Sequence, residues 1–324
     1  MLLHVSGLER VRADLLLTAP LAALVFAAPA GAQSPDDGAR AALRAAACDR
    51  ACLVETADRY MAALLAKDWK GLPWAERVRF TENDVGLMIG DGVWGTATRI
   101  DDAPFTLADP STGNVLWVGL IEEHGQPAYY AMRLRVEDRR IWEVETVVAR
   151  EGTPAHFAPT TGYAVDETFS AALPEAERRP RERMVALVEG YYNTMQLNDG
   201  QLLGEFAEDC TRISNGVDMT RGEHAPAEGC RAQFEIGFYK PVDRVRARRY
   251  PIVDEERGVV VAFAMLDHAA RYTEYRTLDG RTLTIPVEYP NSHRVMELFK
   301  LRNGAVERVE GLAVFQPYLM PSPY

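Results

Sequence analysis

The sequence of 324 residues contains none of the short motifs that identify a common reaction. There is no GxxxxGK[ST] loop for a nucleotide phosphate, no GxSxG turn for a serine nucleophile and no HExxH pair for zinc. The stretch GDGVWG (90–95) has the glycine spacing of a dinucleotide-binding turn. Neither a helix start nor a βαβ pattern accompanies it, so we interpret it as a turn before a strand. The sequence therefore names no substrate and no reaction.

Long apolar runs are also missing after residue 32. Residues 1–32 have the layout of a secretory signal peptide, in which Arg10 and Arg12 precede an apolar stretch from Leu15 to Ala28 and an A-x-A cleavage site at 30–32. The apolar stretch is too short to span a bilayer. We therefore expect a secreted or periplasmic protein that has no membrane partner after signal cleavage.

Cysteine is scarce, with four residues in the whole chain. Export makes disulfides the default, and of the three pairings that four cysteines allow we favour the two local ones, Cys48–Cys52 and Cys210–Cys230. Zinc is disfavoured because neither pair belongs to a CxxC motif with a second pair at matching distance. We expect no metal and no cofactor. A metal site would require the fold to bring together His224, His268, His293 and Asp267.

Positive charge is in deficit, since 47 acidic residues outnumber 36 basic ones and give a net charge of −11. The charges are mixed along the chain, which argues against nucleic acid or an anionic membrane as a partner. Apolar residues make up 47% of the sequence. This share can fill two cores, and the chain length also favours two domains.

The clearest positive feature is an internal duplication. Two amphipathic helices, 48–68 and 181–199, align when Tyr60 is placed over Tyr191. Further on, FTLADPSTGNVLWVGLIEEH lies over YPIVDEERGVVVAFAMLDHA, and LRVEDRRIWEVETVV over FKLRNGAVERVEGLA. The offset rises from 131 to 145 and then to 165, so the second copy carries extra residues near 221–235 and 268–288. A period this long indicates duplicated domains.

Each copy places a helix before a run of strands separated by tight turns, which is typical of an α+β fold. We expect two tandem domains, at 48–150 and 181–320, each with helices packed on an antiparallel sheet. Residues 151–180 between them are rich in proline and small polar residues, so we interpret this segment as a linker.

This arrangement resembles the SnoaL-like and ketosteroid-isomerase-like superfamily, whose members share the cone fold of nuclear transport factor two. It resembles more narrowly a family of secreted proteins with two cones and no assigned activity. The stretches that carry the resemblance are CDRACL, FTEN, GDGVWGT, GCRAQF and FAMLDH, within about residues 48–320. The resemblance implies curved sheets that wrap around helices and leave an apolar cavity. Because single-cone relatives commonly pair through their sheets, it also implies a monomer with an internal pseudo-dimer.

Asp267 and His268 end the apolar strand in VVVAFAMLDHAARY (259–272) and lie over Glu122 and Glu123 of the first copy. A polar strand end is the ordinary start of a turn, but in the second copy an insertion replaces that turn. Neighbouring residues point to opposite faces of a strand, so only one of the pair can face the cone. There a carboxylate with a raised pKa, or a histidine, can act as a general base.

Tyr192 and His224 are the other catalytic candidates. Tyr192 lies on a helix face directed at the sheet, and His224 lies in an insertion that can cover the mouth of the second cone. The competing interpretations are a core aromatic residue and a surface histidine. Ligand-binding candidates are Tyr60, Asn83, Trp94, Trp117, Glu122, Asn215 and His293, of which the aromatic residues are alternatively core and the asparagines turn formers.

The superfamily includes isomerases, dehydratases, cyclases and epoxide hydrolases as well as non-catalytic binders. We therefore expect an exported enzyme that acts on a small apolar or aromatic molecule by proton abstraction or elimination, as a lyase, dehydratase or isomerase, in the second cone. The alternatives are a non-catalytic small-molecule binder and a structural or assembly role. Convergent Asp, His and Tyr side chains favour catalysis, purely apolar walls favour binding, and filled cavities favour structure.

Overall fold

The computed structural model describes residues 48–324 except 101–102, 153–155, 162, 223–224 and 286. The described residues lie in one compact unit. The predicted signal peptide at 1–32 and the candidate His224 lie outside the described residues. Within the described part of the chain, no helix is long and apolar enough to cross a membrane.

The fold is α+β, with two large curved sheets that each carry helices. We call residues 48–150 with the first sheet cone 1, and residues from 181 onward with the second sheet cone 2. The helices are α1 (Arg50–Ala66), α2 (Val93–Thr96), α3 (Arg181–Leu197) and α4 (Gly229–Glu235). The strands of cone 1 are β1 (Trp74–Glu82), β2 (Val85–Gly86), β3 (Ala97–Ile100), β4 (Phe105–Asp109), β5 (Asn114–Glu123), β6 (Gln126–Glu137) and β7 (Arg140–Arg150). Those of cone 2 are β8 (Phe206–Ser214), β9 (Val217–Asp218), β10 (Arg244–Asp254), β11 (Val259–His268), β12 (Glu274–Arg276), β13 (Thr282–Thr284), β14 (Asn291–Arg302) and β15 (Ala305–Pro317).

Both sheets have the same strand order. In cone 1 it is β2-β1-β7-β6-β5-β3, with β4 also paired to β5, and in cone 2 it is β9-β8-β15-β14-β11-β10. The pairs are antiparallel except for β1 with β7 and β8 with β15, which are parallel. The first long strand of each copy therefore returns to pair with the last one, which a simple meander does not do. Strands β12 and β13 form a separate hairpin.

The pairing register agrees with the alignment of the two copies. Asn114 lies opposite Arg135 in cone 1, and at the matched positions of cone 2 Val259 lies opposite Lys300. Helix α4 and the β12–β13 hairpin occupy the segments in which the second copy is longer. These additions are therefore confined to cone 2, and the main strand order of the sheet is kept, although β3 and β4 of cone 1 correspond to the single strand β10 in cone 2.

Two local disulfides fix the helical ends. Cys48 is bonded to Cys52 in the first turn of α1, where Asp49 caps the helix by accepting a hydrogen bond from the Cys52 N–H at 2.9 Å. Cys210 on β8 is bonded to Cys230 on α4. Both are the local pairings that the spacing favours, and they fit an extracellular or periplasmic protein.

The outer faces of the two sheets pack against each other. This contact contains apolar residues from both sheets, including Leu116 and Val118 of cone 1 and Val261 and Phe263 of cone 2. Two ion pairs flank it reciprocally. Arg50 of α1 reaches Asp254 at 2.8 Å, and Arg181 of α3 reaches Asp109 at 2.5 Å. In the alignment of the copies Arg50 lies over Arg181 and Asp109 over Asp254, so each cone makes the same contact to the other.

A buried ion cluster lies in the same contact, centred on Glu145 of β7. Its Oε2 accepts a hydrogen bond from Arg133 Nε at 2.7 Å, and its Oε1 accepts from Arg249 and Arg294 of cone 2. Burial alone raises the pKa of Glu145, but the three guanidinium groups outweigh it and hold the pKa at about 2. One carboxylate therefore binds arginines from both cones.

Candidate functional site

A cavity of about 230 Å³ lies inside cone 2. That volume holds roughly eight water molecules, and it is near the lower end of small-molecule sites. Its walls are mostly apolar. The β12–β13 hairpin covers it with Tyr275, whose hydroxyl donates to the Phe238 carbonyl at 2.6 Å and so ties the hairpin to the segment after α4. Other apolar residues of the wall are Met219, Val242, Leu266, Val295 and Phe315.

The inner end of the cavity is polar. Glu297 of β14 and Arg212 of β8 both line it. The Glu297 Oε2 accepts a hydrogen bond from the Tyr192 hydroxyl at 2.6 Å, and the Arg212 guanidinium carbon lies 5.1 Å from the ring centre of Tyr239. Burial raises the pKa of Glu297, while Tyr192 and Arg212 oppose the rise. A carboxyl group with a raised pKa is suited to proton exchange nearer neutral pH.

The outer end carries His268 of β11 and His293 of β14. The Asn291 Nδ2 lies 3.2 Å from His268 Nδ1 and also donates to the Tyr289 carbonyl at 2.9 Å. Because this carbonyl fixes the orientation of the amide, Nδ1 is the acceptor and Nε2 carries the proton of the neutral ring. Among the described residues Nε2 has no partner.

Both histidines have a lowered pKa, which favours the neutral imidazole. Burial lowers the pKa of His268, against an opposing effect of Asp243. Burial also lowers the pKa of His293 to about 4, aided by His268 and His156, and its ring lies against Phe315 with ring centres 4.7 Å apart. Along β14, His293 and Glu297 are four residues apart, or roughly 13 Å. The cavity therefore has an imidazole end and a carboxyl–guanidinium end.

Asp267 lies on the opposite face of β11 from His268. Its Oδ1 accepts from Ser292 Oγ at 2.7 Å and its Oδ2 from Arg246 Nε at 2.8 Å, and the side chain is fully buried. Asp267 is absent from the cavity wall, which His268 lines. The alternation along the strand thus directs the histidine, and not the acid, into the cone.

Asn83 and Asn215 have the same structural role in their two cones. Each has a left-handed backbone, with φ of 48° and 45°. Asn83 exchanges two hydrogen bonds with the backbone of Val148, at 2.8 and 3.0 Å, and Asn215 does the same with Ala313, at 3.0 and 2.8 Å. Each asparagine fastens the turn after the first long strand to the last strand. Asn215 also lines the cavity, but its side-chain amide is used by the backbone.

The interior of cone 1 is filled by aromatic side chains. The Tyr60 hydroxyl accepts a hydrogen bond from Trp94 Nε1 at 2.9 Å, and Trp117 packs edge-on against Tyr130. All four side chains are buried in one apolar cluster. Three of them, Tyr60, Trp94 and Trp117, are predicted ligand-binding residues, and the structure places them in the core.

The polar positions of the cone 2 cavity are apolar in cone 1. Phe80 is matched to Arg212, because Phe80 pairs with Val144 as Arg212 pairs with Val309. Met132 is likewise matched to Glu297, and Ala128 to His293. All three cone 1 residues belong to its buried core. Cone 2 therefore has charged and imidazole side chains at positions where cone 1 has apolar core residues.

The mouth of cone 1 is closed by ion pairs. Arg150 contacts Glu123 at 2.6 Å and Glu82 at 2.9 Å. The positions of cone 2 matched to Glu82, Glu123 and Arg150 are Ser214, His268 and Phe315, and all three line the cavity. Glu122 lies outside this closure and pairs at the surface with Arg99 at 3.2 Å.

A family model described as a domain of unknown function, DUF8021, matches residues 46–148 and 177–313. The chain belongs to the DUF8021 family. The two matched segments run from α1 into β7 and from α3 into β15. A comparison with curated proteins finds no match.

Several solved structures are similar to parts of this DUF8021 member. A proposed isomerase from Bacillus subtilis is 13% identical over 41% of this chain and 86% of its own, with a TM-score of 0.28. A proposed polyketide cyclase from Xanthomonas campestris pv. campestris is 20% identical over 41% and 90%, with a TM-score of 0.27. An NTF2-like protein from Cytophaga hutchinsonii is 15% identical over 42% and 99%, with a TM-score of 0.26.

Sequence reasoning on this DUF8021 chain missed Arg212 and Glu297. Each stands in an alternating strand, where an isolated charged residue is ordinarily taken as solvent-facing. A signal was nevertheless present, since the aligned copies place Arg212 over Phe80 and Glu297 over Met132. A charge in one copy that replaces a core residue in the other marks a position where the two interiors differ.

Proposed function

We propose that this protein is an exported enzyme that moves a proton on a small, largely apolar molecule held in the cavity of cone 2. The observation that carries the proposal is Glu297, a buried carboxyl group with a raised pKa on the cavity wall. The general base is thus assigned to Glu297 rather than to Asp267, whose oxygens are bound by Ser292 and Arg246.

In the proposed step, the Glu297 carboxylate takes a proton from a carbon of the ligand. The electron pair of the broken C–H bond stays on the ligand as an enolate-like anion, or expels a leaving group from the next carbon. Arg212 at the same end stabilises the negative charge that develops. Tyr192 holds the carboxyl by its hydrogen bond, and the His268 Nε2–H offers a donor to an oxygen at the far end of the ligand.

Exchange with deuterated solvent tests this proposal. Small molecules that co-purify with the full chain are identified by native mass spectrometry, returned to the protein in D₂O and followed by NMR. We expect deuterium at a carbon-bound position, or conversion to a product, at a rate proportional to protein concentration. A ligand that binds without exchange or conversion would contradict catalysis.

Binding without exchange or conversion is the result expected for a non-catalytic binding protein. The mostly apolar wall and the covering hairpin favour this alternative, because they enclose an apolar molecule whether or not it reacts. The filled interior of cone 1 favours a structural role for that cone alone.

The chain is further proposed to be a monomer with an internal pseudo-dimer, whose domains are residues 48–150 and 181–320 joined by the linker 151–180. The reciprocal pairs Arg50–Asp254 and Arg181–Asp109 support this, since a two-fold interface repeats each contact. The surface by which single cones pair is then used within one chain. Sedimentation is expected to give the mass of one chain, and a stable homo-oligomer would overturn the idea.

A further inference from the structure

We propose that the ligand of cone 2 is an organic acid, whose carboxylate binds Arg212 and whose apolar body fills the cavity. This inference rests on the proposed function, because it names the substrate class of the same site. The first observation is the state of Arg212. It lines the cavity, and none of the described residues accepts a hydrogen bond or makes an ion pair with its guanidinium group. Its Nε is buried without a partner.

Arg212, which is half-buried, differs in this respect from the buried arginines of the described chain. Arg133 and Arg294 are each paired with Glu145. Removing a cation from water without an anionic partner is unfavourable, so a half-buried guanidinium group on an apolar cavity wall without a carboxylate partner lacks half of an ion pair. The aromatic face of Tyr239 compensates only in part.

Glu297 does not supply the missing anion. Its carboxyl is hydrogen-bonded to Tyr192, and among the described residues it makes no ion pair with Arg212. Burial raises the pKa of Glu297, while Tyr192 and Arg212 oppose the rise. Among the described residues, the guanidinium group at the inner end of the cavity therefore has no ion-pair partner.

The geometry selects a carboxylate with an apolar body over a small inorganic anion. A guanidinium group presents parallel N–H donors that match the two oxygens of a carboxylate. A free phosphate or sulfate leaves the apolar wall, which includes Val242, Leu266 and Val295, without a partner. The matched residue of cone 1 is Phe80, so acid binding is expected in cone 2 alone.

Calorimetry on the full chain with matched acids and amides tests the inference. The probes are benzoate, phenylacetate and cinnamate, each compared with its neutral amide. For the acid that fits best, the wild type is expected to bind about 10-fold or more tightly than the amide, as for a charge-assisted hydrogen bond. Arg212→Leu should weaken acid binding by about 10- to 100-fold and leave amide binding unchanged, whereas Arg212→Lys should keep part of the preference. Arg302→Leu, at a half-exposed arginine outside the cavity, is the control.

The outcomes separate this inference from the function on which it rests. Equal binding of acids and amides, or acid binding that persists in Arg212→Leu, overturns the acid assignment and leaves a small-molecule cavity. Binding of no acid while an amide binds has the same meaning. Binding of none of the six compounds counts against both the acid assignment and the cavity as a ligand site.

Discussion

Replacing Glu145 with glutamine is expected to lower the free energy of unfolding by about 3 to 5 kcal/mol, the usual effect of removing one partner from a buried ionic group. The side chain is buried at the contact between the cones and accepts hydrogen bonds from Arg133, Arg249 and Arg294. The amide oxygen keeps an acceptor, but the substitution removes the negative charge that all three guanidinium groups contact. Urea unfolding, followed separately by tryptophan fluorescence and circular dichroism, measures the change.

Glu310→Gln is the matched control, because Glu310 occupies the same position in cone 2. Burial raises the pKa of Glu310, although Asp166 N–H and Arg308 oppose the rise. Its nearest guanidinium contact is Arg308 Nε at 3.8 Å. A carboxyl whose charge is disfavoured loses little as an amide, so the expected effect is below about 1 kcal/mol. Equal effects at the two positions would mean that the Glu145 cluster is not a special source of stability.

Lowering the pH should also distinguish the stability of the wild type from that of Glu145→Gln. The pKa of Glu145 is held at about 2, below its ordinary value of 4.5. Its contribution to stability is therefore complete above pH 4.5 and is lost as the pH falls from there through about 2. The wild type should lose more stability across this window than Glu145→Gln, since the variant has no carboxylate to protonate at this position.

Replacing Glu297 with glutamine is expected to reduce turnover, measured as the rate of solvent deuterium exchange, by about 100- to 10,000-fold, the usual range for a general base. Glutamine has nearly the same shape and still accepts the Tyr192 hydrogen bond, but it cannot take a proton. Thermal unfolding should show stability unchanged or raised, because the native pKa shift shows that burial disfavours the charged carboxylate. In the wild type, the rate should fall as the pH drops below the raised pKa of Glu297.

Asp267→Asn and Glu122→Gln are the controls for this variant. Asp267 pairs with Arg246 on the far side of β11, so its substitution should lower stability while the folded protein keeps its turnover. Glu122 lies at the surface of cone 1, and its substitution should do little. His268→Ala is expected to weaken ligand binding. Loss of turnover in Asp267→Asn, together with normal turnover in Glu297→Gln, would show that the base is assigned to the wrong residue.

Much of the fold could be predicted from the sequence, because duplication and alternation are local patterns. The match of Asn114 with Val259, and of Arg135 with Lys300, reappears as identical strand pairing. Alternation also separates Asp267 from His268, although it does not say which of the two faces inward. The inward residue becomes known only when β11 is placed beside β14 and the sheet curves around α3.

These local patterns could not predict that the interior of cone 1 is filled and that the interior of cone 2 holds a cavity. Tyr60 and Tyr192 lie on similar helices, yet one accepts from Trp94 in a filled core and the other donates to Glu297 beside a cavity. The difference depends on side chains brought together from distant strands. Arg212 is one such case, since its chemistry is set by Tyr239 and Glu297, which belong to other elements.

The closed mouth and packed interior of cone 1 bear on the stability cost of the cavity in cone 2. A sealed and empty space of about 230 Å³ would cost about 5.5 kcal/mol of stability at roughly 24 cal/mol per Å³, which sets an upper limit for a cavity that opens to solvent. That is comparable with the whole stability of a small domain. Cone 2 is covalently joined to a copy whose mouth is locked by Arg150, Glu82 and Glu123 and whose interior is solid. The packing of cone 1 therefore adds stability to the same chain that carries the cavity of cone 2, so the cost of the cavity does not fall on cone 2 alone.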